Sequence, residues 1–553
     1  MRERPNKNPG SALPSCVGEF IRRVMKRMRY RRRVCEDVQA ELTAHFEDAL
    51  RDVTDPTERE QKARRLIEQF GAAKVLGILC RRAKKRCRPQ WARVLVRTAQ
   101  GAGVCLLLFT LYLLWFFNGK PVVRVDYLAM LNQMSRAEVL DQDNAWPHYQ
   151  QAIDVLVEPG EELADVSGVK TLRTQPADLE SLSPGVQQAL ADWVQANEAA
   201  WEQFKAASAK SYCYRPFQYS GGDPKRRWLL SVTLPHLKSL RQLASVGQWR
   251  VQMEARQGRI AEALDDCLAI AMAGRHWQGS KLLVEEYLGL GLSTIAHREI
   301  LMILNRHPQS TSELARLQHQ VGELYPVAFP LMNTEGERIA FLDTVQHLFT
   351  EGGPGGGHLV PDAGLIASIK GDKSLESVDG MLWNALAVVH AGRDRTVAKA
   401  CELFTLQSEA AARTPYENRG GRGADAFFAS LSKRYHLIDV LAPAMDRAAE
   451  CAFRGRALHE ATLTILAVLR CRADKGSYPA SLDVLKQAGY IDAVPRDPYS
   501  TGPLLYKPAN GDFRLYSVGP NFQDDGGGPG TDKTGRIETW DRDADAVFWP
   551  VNP

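Results

Sequence analysis

The stretch "TAQGAGVCLLLFTLYLLWFFNG", Thr98 to Gly119, is 22 residues long and carries no charge. As a helix rising ~1.5 Å per residue it reaches roughly 33 Å, enough for the ~30 Å hydrocarbon core of a bilayer. Trp115, Phe116 and Phe117 sit at one end, where aromatic rings suit the membrane–water interface. The run starts too late for a cleaved signal peptide, which falls within the first ~30 residues. A buried core helix is the alternative, but the dense basic flank favours a span. The first partner expected is therefore the lipid bilayer.

Charge sets the direction of insertion. Residues 1–97 hold 25 Lys/Arg against 12 Asp/Glu, a balance of +13, while the whole chain is +5 and the remainder therefore −8. "RRAKKRCRPQWARVLVR" precedes the run, and only Lys120 and Arg124 follow it closely. Positive charge stays in the cytoplasm. The expectation is a bacterial inner-membrane protein with residues 1–97 inside and 120–553 outside, in the periplasm. The basic cluster could instead bind nucleic acid, but topology already accounts for it, and no nucleic-acid partner is expected.

A chain of 553 residues exceeds one core and divides into several domains. The expected class is mainly α, with a small C-terminal α+β module. Residues 1–15 are rich in Pro, Asn and Lys and read as disordered. Residues 16–88 read as a cytoplasmic helical domain. Val34, Val38, Leu42, Phe46 and Ala49 share one helical face. Thr57, after "DP", opens another helix, and Gly71 suits its C-terminal end. The order Val38, Glu41-Leu42, His45, Asp48 and then Phe70-Gly71, before a basic linker, resembles the HAAS-type or permease-prefix helical domain of bacterial membrane proteins. That resemblance implies an adaptor or signalling module. His45 fits the motif, and a structural role is expected for it.

Residues 120–436 read as an extracytoplasmic helical body. Asp143 or Asn144 caps a helix that has Pro147 in its first turn. "LKSLRQLASVGQWRVQMEARQGRIAEALDDCLAIA" reads as a helical hairpin turning at Gly258, with Ala255, Ala263 and Leu264 resembling one tetratricopeptide-like unit; an array needs about three such copies. The uncharged stretch Tyr287–His297 is too short to span a bilayer and reads as core helix. Glu351–His358, "EGGPGGGH", reads as a flexible loop, and no Lys-Ser/Thr follows it as a phosphate loop requires.

No catalytic pattern emerges, so an enzyme is not expected. "HEATL" at His459 lacks the second histidine of a metalloprotease helix, and no G-x-S-x-G occurs. Glu285, Glu286 and Glu337 read as solvated helix faces or ion pairs. The ten cysteines show no C-x-x-C spacing.

The last segment, 437–553, differs. A long helix from about Leu437 ends at Gly476, ahead of Pro479. A short helix follows, then alternating apolar and polar residues around Asn510-Gly511, which signals a hairpin. Asp524, Asp525, Asp532, Asp541, Asp543 and Asp545 crowd a Gly-rich stretch, an oxygen-rich set suited to a hard cation; a solvated acidic loop without metal is the alternative. Gly476-Ser477-Tyr478-Pro479, Pro495-Arg496-Asp497-Pro498, Gly502-Pro503, Phe513 to Gly519 and Asp524-Asp525-Gly526-Gly527 occur in one order. That order resembles the globular domain of the type II secretion major pseudopilin. The resemblance implies a Ca²⁺ site, with Asp525 and Asp545 as ligands and Asp524 and Asp543 as near alternatives. The membrane run lies more than 300 residues upstream, unlike in a pseudopilin, so a filament subunit is not expected. The function expected is a membrane-anchored scaffold or interaction protein with an unnamed protein partner. Transmembrane signalling and an enzyme with a site in the helical body are the alternatives.

Overall fold

Four amphipathic helices precede the apolar run: α1 (Ser15–Met28), α2 (Arg32–Ala49), α3 (Pro56–Phe70) and α4 (Ala73–Arg86). They belong to a computed structural model that describes residues 13–86, 90–136, 140–166, 168–169, 178–219, 227–279, 282–325, 332–361, 387–420, 423–442, 445–509, 511–531 and 537–551. The expected disorder of 1–15 falls almost wholly outside these residues. Asp55, rather than Thr57, sets the start of α3: its carboxylate accepts the Glu58 N–H at 2.8 Å, with Pro56 in the first position. Gly71, at φ +74°, closes the helix. Val17, Phe20, Ile21, Val24 and Phe46 fill the core. Gly77 lets α4 approach α1, since a Cβ there would lie 2.8 Å from the Val24 carbonyl. His45 is exposed and edge-on to Phe70 at 5.4 Å, a packing role.

The apolar run lies in α5 (Gln90–Phe117). Val94–Phe117 is long and apolar enough to cross a membrane, and only 6% of that surface is buried. Leu106, Leu107, Leu108 and Phe109 are all more than half exposed, an apolar surface of the kind that marks membrane or protein contacts.

Met1–Trp115 and Phe116–Pro553 are two separate units. The second is mainly helical. It starts with α6 (Tyr127–Ser135), α7 (Trp146–Asp154), α8 (Pro184–Ala196) and α9 (Glu198–Ser208). Next come α10 (His236–Arg256), α11 (Ile260–Trp277), α12 (Leu283–Arg306), α13 (Thr311–Glu323) and α14 (Glu335–Leu348). Neither Asp143 nor Asn144 is the cap of α7: Ala145 holds that position without a side-chain cap, and Asn144, one residue earlier, accepts the Trp146 N–H at 3.1 Å through its side-chain oxygen. The α10–α11 hairpin turns at Gly258, φ +77°. Then α11 and α12 meet backbone to backbone, because a Cβ on Gly289 would fall 2.6 Å from the Gly274 carbonyl. This buries most of the stretch from Leu288 to His297, as its composition suggests, while Tyr287 stays exposed.

After these come α15 (Arg393–Ala411), α16 (Pro415–Asn418), α17 (Ala424–Ser430), α18 (His436–Leu441), α19 (Met445–Lys475) and α20 (Leu482–Gln487). Gly476, φ +76°, ends α19. The strands are β1 (Leu505–Ala509), β2 (Asp512–Ser517), β3 (Gly530–Thr531), β4 (Ile537–Glu538) and β5 (Ala546–Trp549). β1, β2 and β5 form an antiparallel sheet in that order, and Ala509 pairs with Asp512. Phe513 stacks on Trp549 at 5.4 Å. Residues 120–436 and 437–553, read separately from the sequence, share one core. Leu292, Ile300, Leu317, Ile465, Leu466, Leu485, Leu515 and Phe548 all belong to it, because α19 serves both sides.

Glu351–His358 is a turn with its first five residues exposed and its ends tied together. Thr350 and His358 exchange backbone and side-chain hydrogen bonds, and His358 Nε2 lies 3.0 Å from the Phe116 carbonyl. Glu285 and Glu286 are not solvated: they are 3% and 1% exposed, because the first turn of α12 is covered by its neighbours. Glu337 is half-buried and accepts the Leu283 N–H at 2.8 Å.

Candidate functional site

The aspartate loop of the C-terminal segment is built around Asp545, one residue before β5. Its carboxylate is fully buried and accepts the backbone N–H groups of Asp525 at 3.2 Å and Gly527 at 2.7 Å. Gly527 has φ +82°, which favours glycine. Asp524 accepts the Tyr516 hydroxyl at 2.8 Å and the Gly526 N–H at 2.9 Å, with Lys507 Nζ at 3.7 Å. Asp525 accepts the Asn521 side-chain amide at 2.7 Å. The structure thus brings Asp525, Asp545 and Asp524 into one loop. Asp543 stands apart on an exposed turn, its N–H donating to Asp541.

Electrostatics separate the members. Burial pushes Asp545 up, and the charges of Asp525 and Asp524 add to this against the pull of two N–H donors. Asp524 is pulled down, chiefly by the Gly526 N–H. A buried carboxylate beside like charges is relieved by a cation, so the donor chemistry fits a hard ion. Among the described residues, however, no three His, Cys, Asp or Glu side chains converge as a metal group. Asp532 lies outside them.

Asp497 was read from the sequence only as part of the Pro495-Arg496-Asp497-Pro498 motif, with no role assigned. It is 2% exposed and accepts the Ser517 hydroxyl at 2.6 Å, the Val518 N–H at 3.0 Å and the Tyr499 N–H at 2.9 Å. Its position before Pro498 in a turn was the available signal. It fastens the Arg496–Ser500 turn to the end of β2.

That fastening shapes a groove of about 600 Å³ between α15, α16, α17, α19 and the loops carrying Tyr499 and Phe522. Five carboxylates line it, Glu409, Glu417, Asp425, Asp446 and Glu450, against two guanidinium groups, Arg413 and Arg419. Several are already engaged. Glu417 closes a capping box with Thr414, Glu450 accepts the Tyr499 hydroxyl at 3.1 Å, and Arg419 lies 3.5 Å over the Tyr416 ring. Burial pushes Asp446 up, and neighbouring Asp425 adds to it. Phe453, Tyr499 and Phe522 supply aromatic lining. Phe522 holds φ +60°, a conformation that bulky side chains rarely adopt. Nothing in the sequence around Phe522 signals it.

No family model matches the chain, and neither a curated protein nor a solved structure matches it.

Proposed function

We propose that this chain is a single-pass, membrane-anchored interaction protein. In this reading residues 16–88 lie on the cytoplasmic side and the body from Phe116 onward lies outside. The groove beside Tyr499 and Phe522 takes a lysine- or arginine-rich segment of a partner protein. One observation carries the reading: an open groove with an excess of carboxylates over aromatic lining. Carboxylates select cations and speed encounter, and aromatic faces add cation–π attraction. The pseudopilin-like reading of 437–553 is supported by a long helix packed on a small antiparallel sheet.

The groove is tested on the detergent-solubilised full chain by fluorescence polarisation, using labelled octapeptides of alternating Lys-Tyr or Glu-Tyr. The Lys-Tyr peptide should bind and the Glu-Tyr peptide should not. Asp425→Asn with Asp446→Asn should weaken binding tenfold or more. Equal binding of both peptides, or an unaffected variant, would contradict the proposal.

Calcium belongs to the same proposal. Asp525, Asp545 and Asp524 would hold the ion with backbone carbonyls and water, which satisfies its six to eight oxygen ligands. Binding only the native form stabilises by about 2.7 kcal/mol at 100 times the dissociation constant. Thermal melting of the full chain should therefore shift upward with excess Ca²⁺ and fall back with chelator. Asp525→Asn, which spares both N–H bonds to Asp545, should abolish the shift. A melting temperature indifferent to Ca²⁺ would remove the ion from the account.

A further inference from the structure

The helical body starts to pack where the apolar run ends. Phe116, in the last turn of α5, is 1% exposed and stacks on His358 at 4.5 Å. It shares one buried cluster with Leu283, Leu348 and Phe349. The chain just beyond it is strapped to α14. Gln346 Oε1 accepts the N–H groups of Arg124 and Val125, each at 3.2 Å, and its amide donates to the Val125 carbonyl at 2.8 Å. Held in this way, Val122, Val123 and Val125 still stand exposed.

Leu283 also lines an open cleft of about 410 Å³. Ten of the eleven residues around this cleft are Leu, Val, Ala or Tyr, and three of them, Leu230, Val284 and Tyr287, are exposed. The eleventh, Glu337, accepts the Leu283 N–H at 2.8 Å. Burial raises its pKa, which lowers the charge the cleft carries. The lining thus suits hydrocarbon rather than a charged ligand.

Exposed apolar surface of this kind marks a membrane or a protein contact. Here its place in the fold favours lipid, because one wall of the cleft packs in the same cluster as the end of α5. A body tethered by α5 keeps bilayer lipid beside this face at high effective concentration, with no partner to recruit. Each apolar side chain covered by lipid then strengthens the contact.

We propose that this face of the body rests on the membrane that α5 crosses, with the acyl chain of one phospholipid seated in the cleft. The inference rests on the reading of α5 as a membrane span. It adds to that anchor a second, lipid-binding contact made by the folded body itself.

The test is photo-crosslinking of the purified full chain in nanodiscs of tritiated phosphatidylglycerol. A benzophenone amino acid replaces one exposed residue at a time: Leu107 in the apolar run, Leu230 or Val284 at the cleft, and Lys486 as the reference. Lys486 lies on α20, beyond the far end of α19, whose 31 residues span about 45 Å from Met445 in the Phe116 cluster. Leu107, Leu230 and Val284 should each take at least tenfold more lipid label than Lys486. Mass spectrometry should place the new bond at the two cleft positions on an acyl chain. Label at Leu107, with Leu230 and Val284 no higher than Lys486, would overturn the inference and leave the span standing. A bond from the cleft positions to a headgroup, or to a second copy of the chain, would also overturn it. An unlabelled Leu107 would instead remove the span, and this inference with it.

Discussion

Replacing Trp201 with alanine will destabilise the helical body by about 3–5 kcal/mol, the usual cost of removing a fully buried large aromatic side chain. Trp201 is fully buried on α9 and stacks on Phe204 at 4.9 Å. Its indole N–H donates to Asp266 at 3.0 Å. Its ring occupies the notch left by Gly247 on α10, where a Cβ would overlap the indole. One side chain thus joins α9, α10 and α11. Its loss leaves a cavity and takes a donor from Asp266, which retains Arg250 Nε at 2.8 Å. Urea unfolding of the solubilised full chain, followed by circular dichroism, measures the change. A loss below 1 kcal/mol would show that this junction is not packed as described.

The second large effect depends on pH. Glu299, on α12, is 3% exposed and accepts the Gln248 side-chain amide at 2.8 Å. Burial raises its pKa from 4.5 to about 7, against the pull of Gln248 and Arg298. The folded state therefore holds a proton that the unfolded state releases. This contribution is fully present below pH 4.5 and is lost as pH rises through about 7. The difference of 2.5 units, at ~1.36 kcal/mol each, is about 3 kcal/mol. Glu254 behaves similarly, raised to about 7 by burial and by Asp266, so the wild-type slope contains both groups. Glu299→Gln keeps an acceptor for Gln248 and removes only one group. The variant should match wild type near pH 4.5 and exceed it by up to about 3 kcal/mol at pH 8. Parallel stability curves would refute the burial argument for Glu299.

Local chemistry explains what could be read in advance. The charge-free run at 98–119, the turns at Gly258 and Gly476 and the hairpin at 510–511 each depend on neighbours within a few residues. Such features follow from periodicity, capping and glycine conformation. Burial of Glu285, Glu286 and Glu299 depends instead on α12 becoming the central helix, which no local pattern of charges announces. The same holds for the groove, which joins residues as far apart as Leu406 and Phe522. Of the aspartates, composition marked six in one Gly-rich stretch, and only the pseudopilin resemblance singled out 525 and 545 with 524 beside them. The exposure of Asp543 was not legible, because it follows from the turn before β5, in which its N–H donates to Asp541. Asp497 was hidden in plain view: its carboxylate serves donors up to 21 positions away.

The account rests on one arrangement above all, a single span with the helical body outside the membrane. The direct measurement is a paired reporter assay in bacteria, fusing after Pro553 first an enzyme active only in the periplasm and then one active only in the cytoplasm. The basic flank before Thr98 and the exposed apolar surface of Val94–Phe117 predict activity from the periplasmic reporter and silence from the cytoplasmic one. The opposite pattern would contradict the account, because the groove and the aspartate loop would then face the cytoplasm.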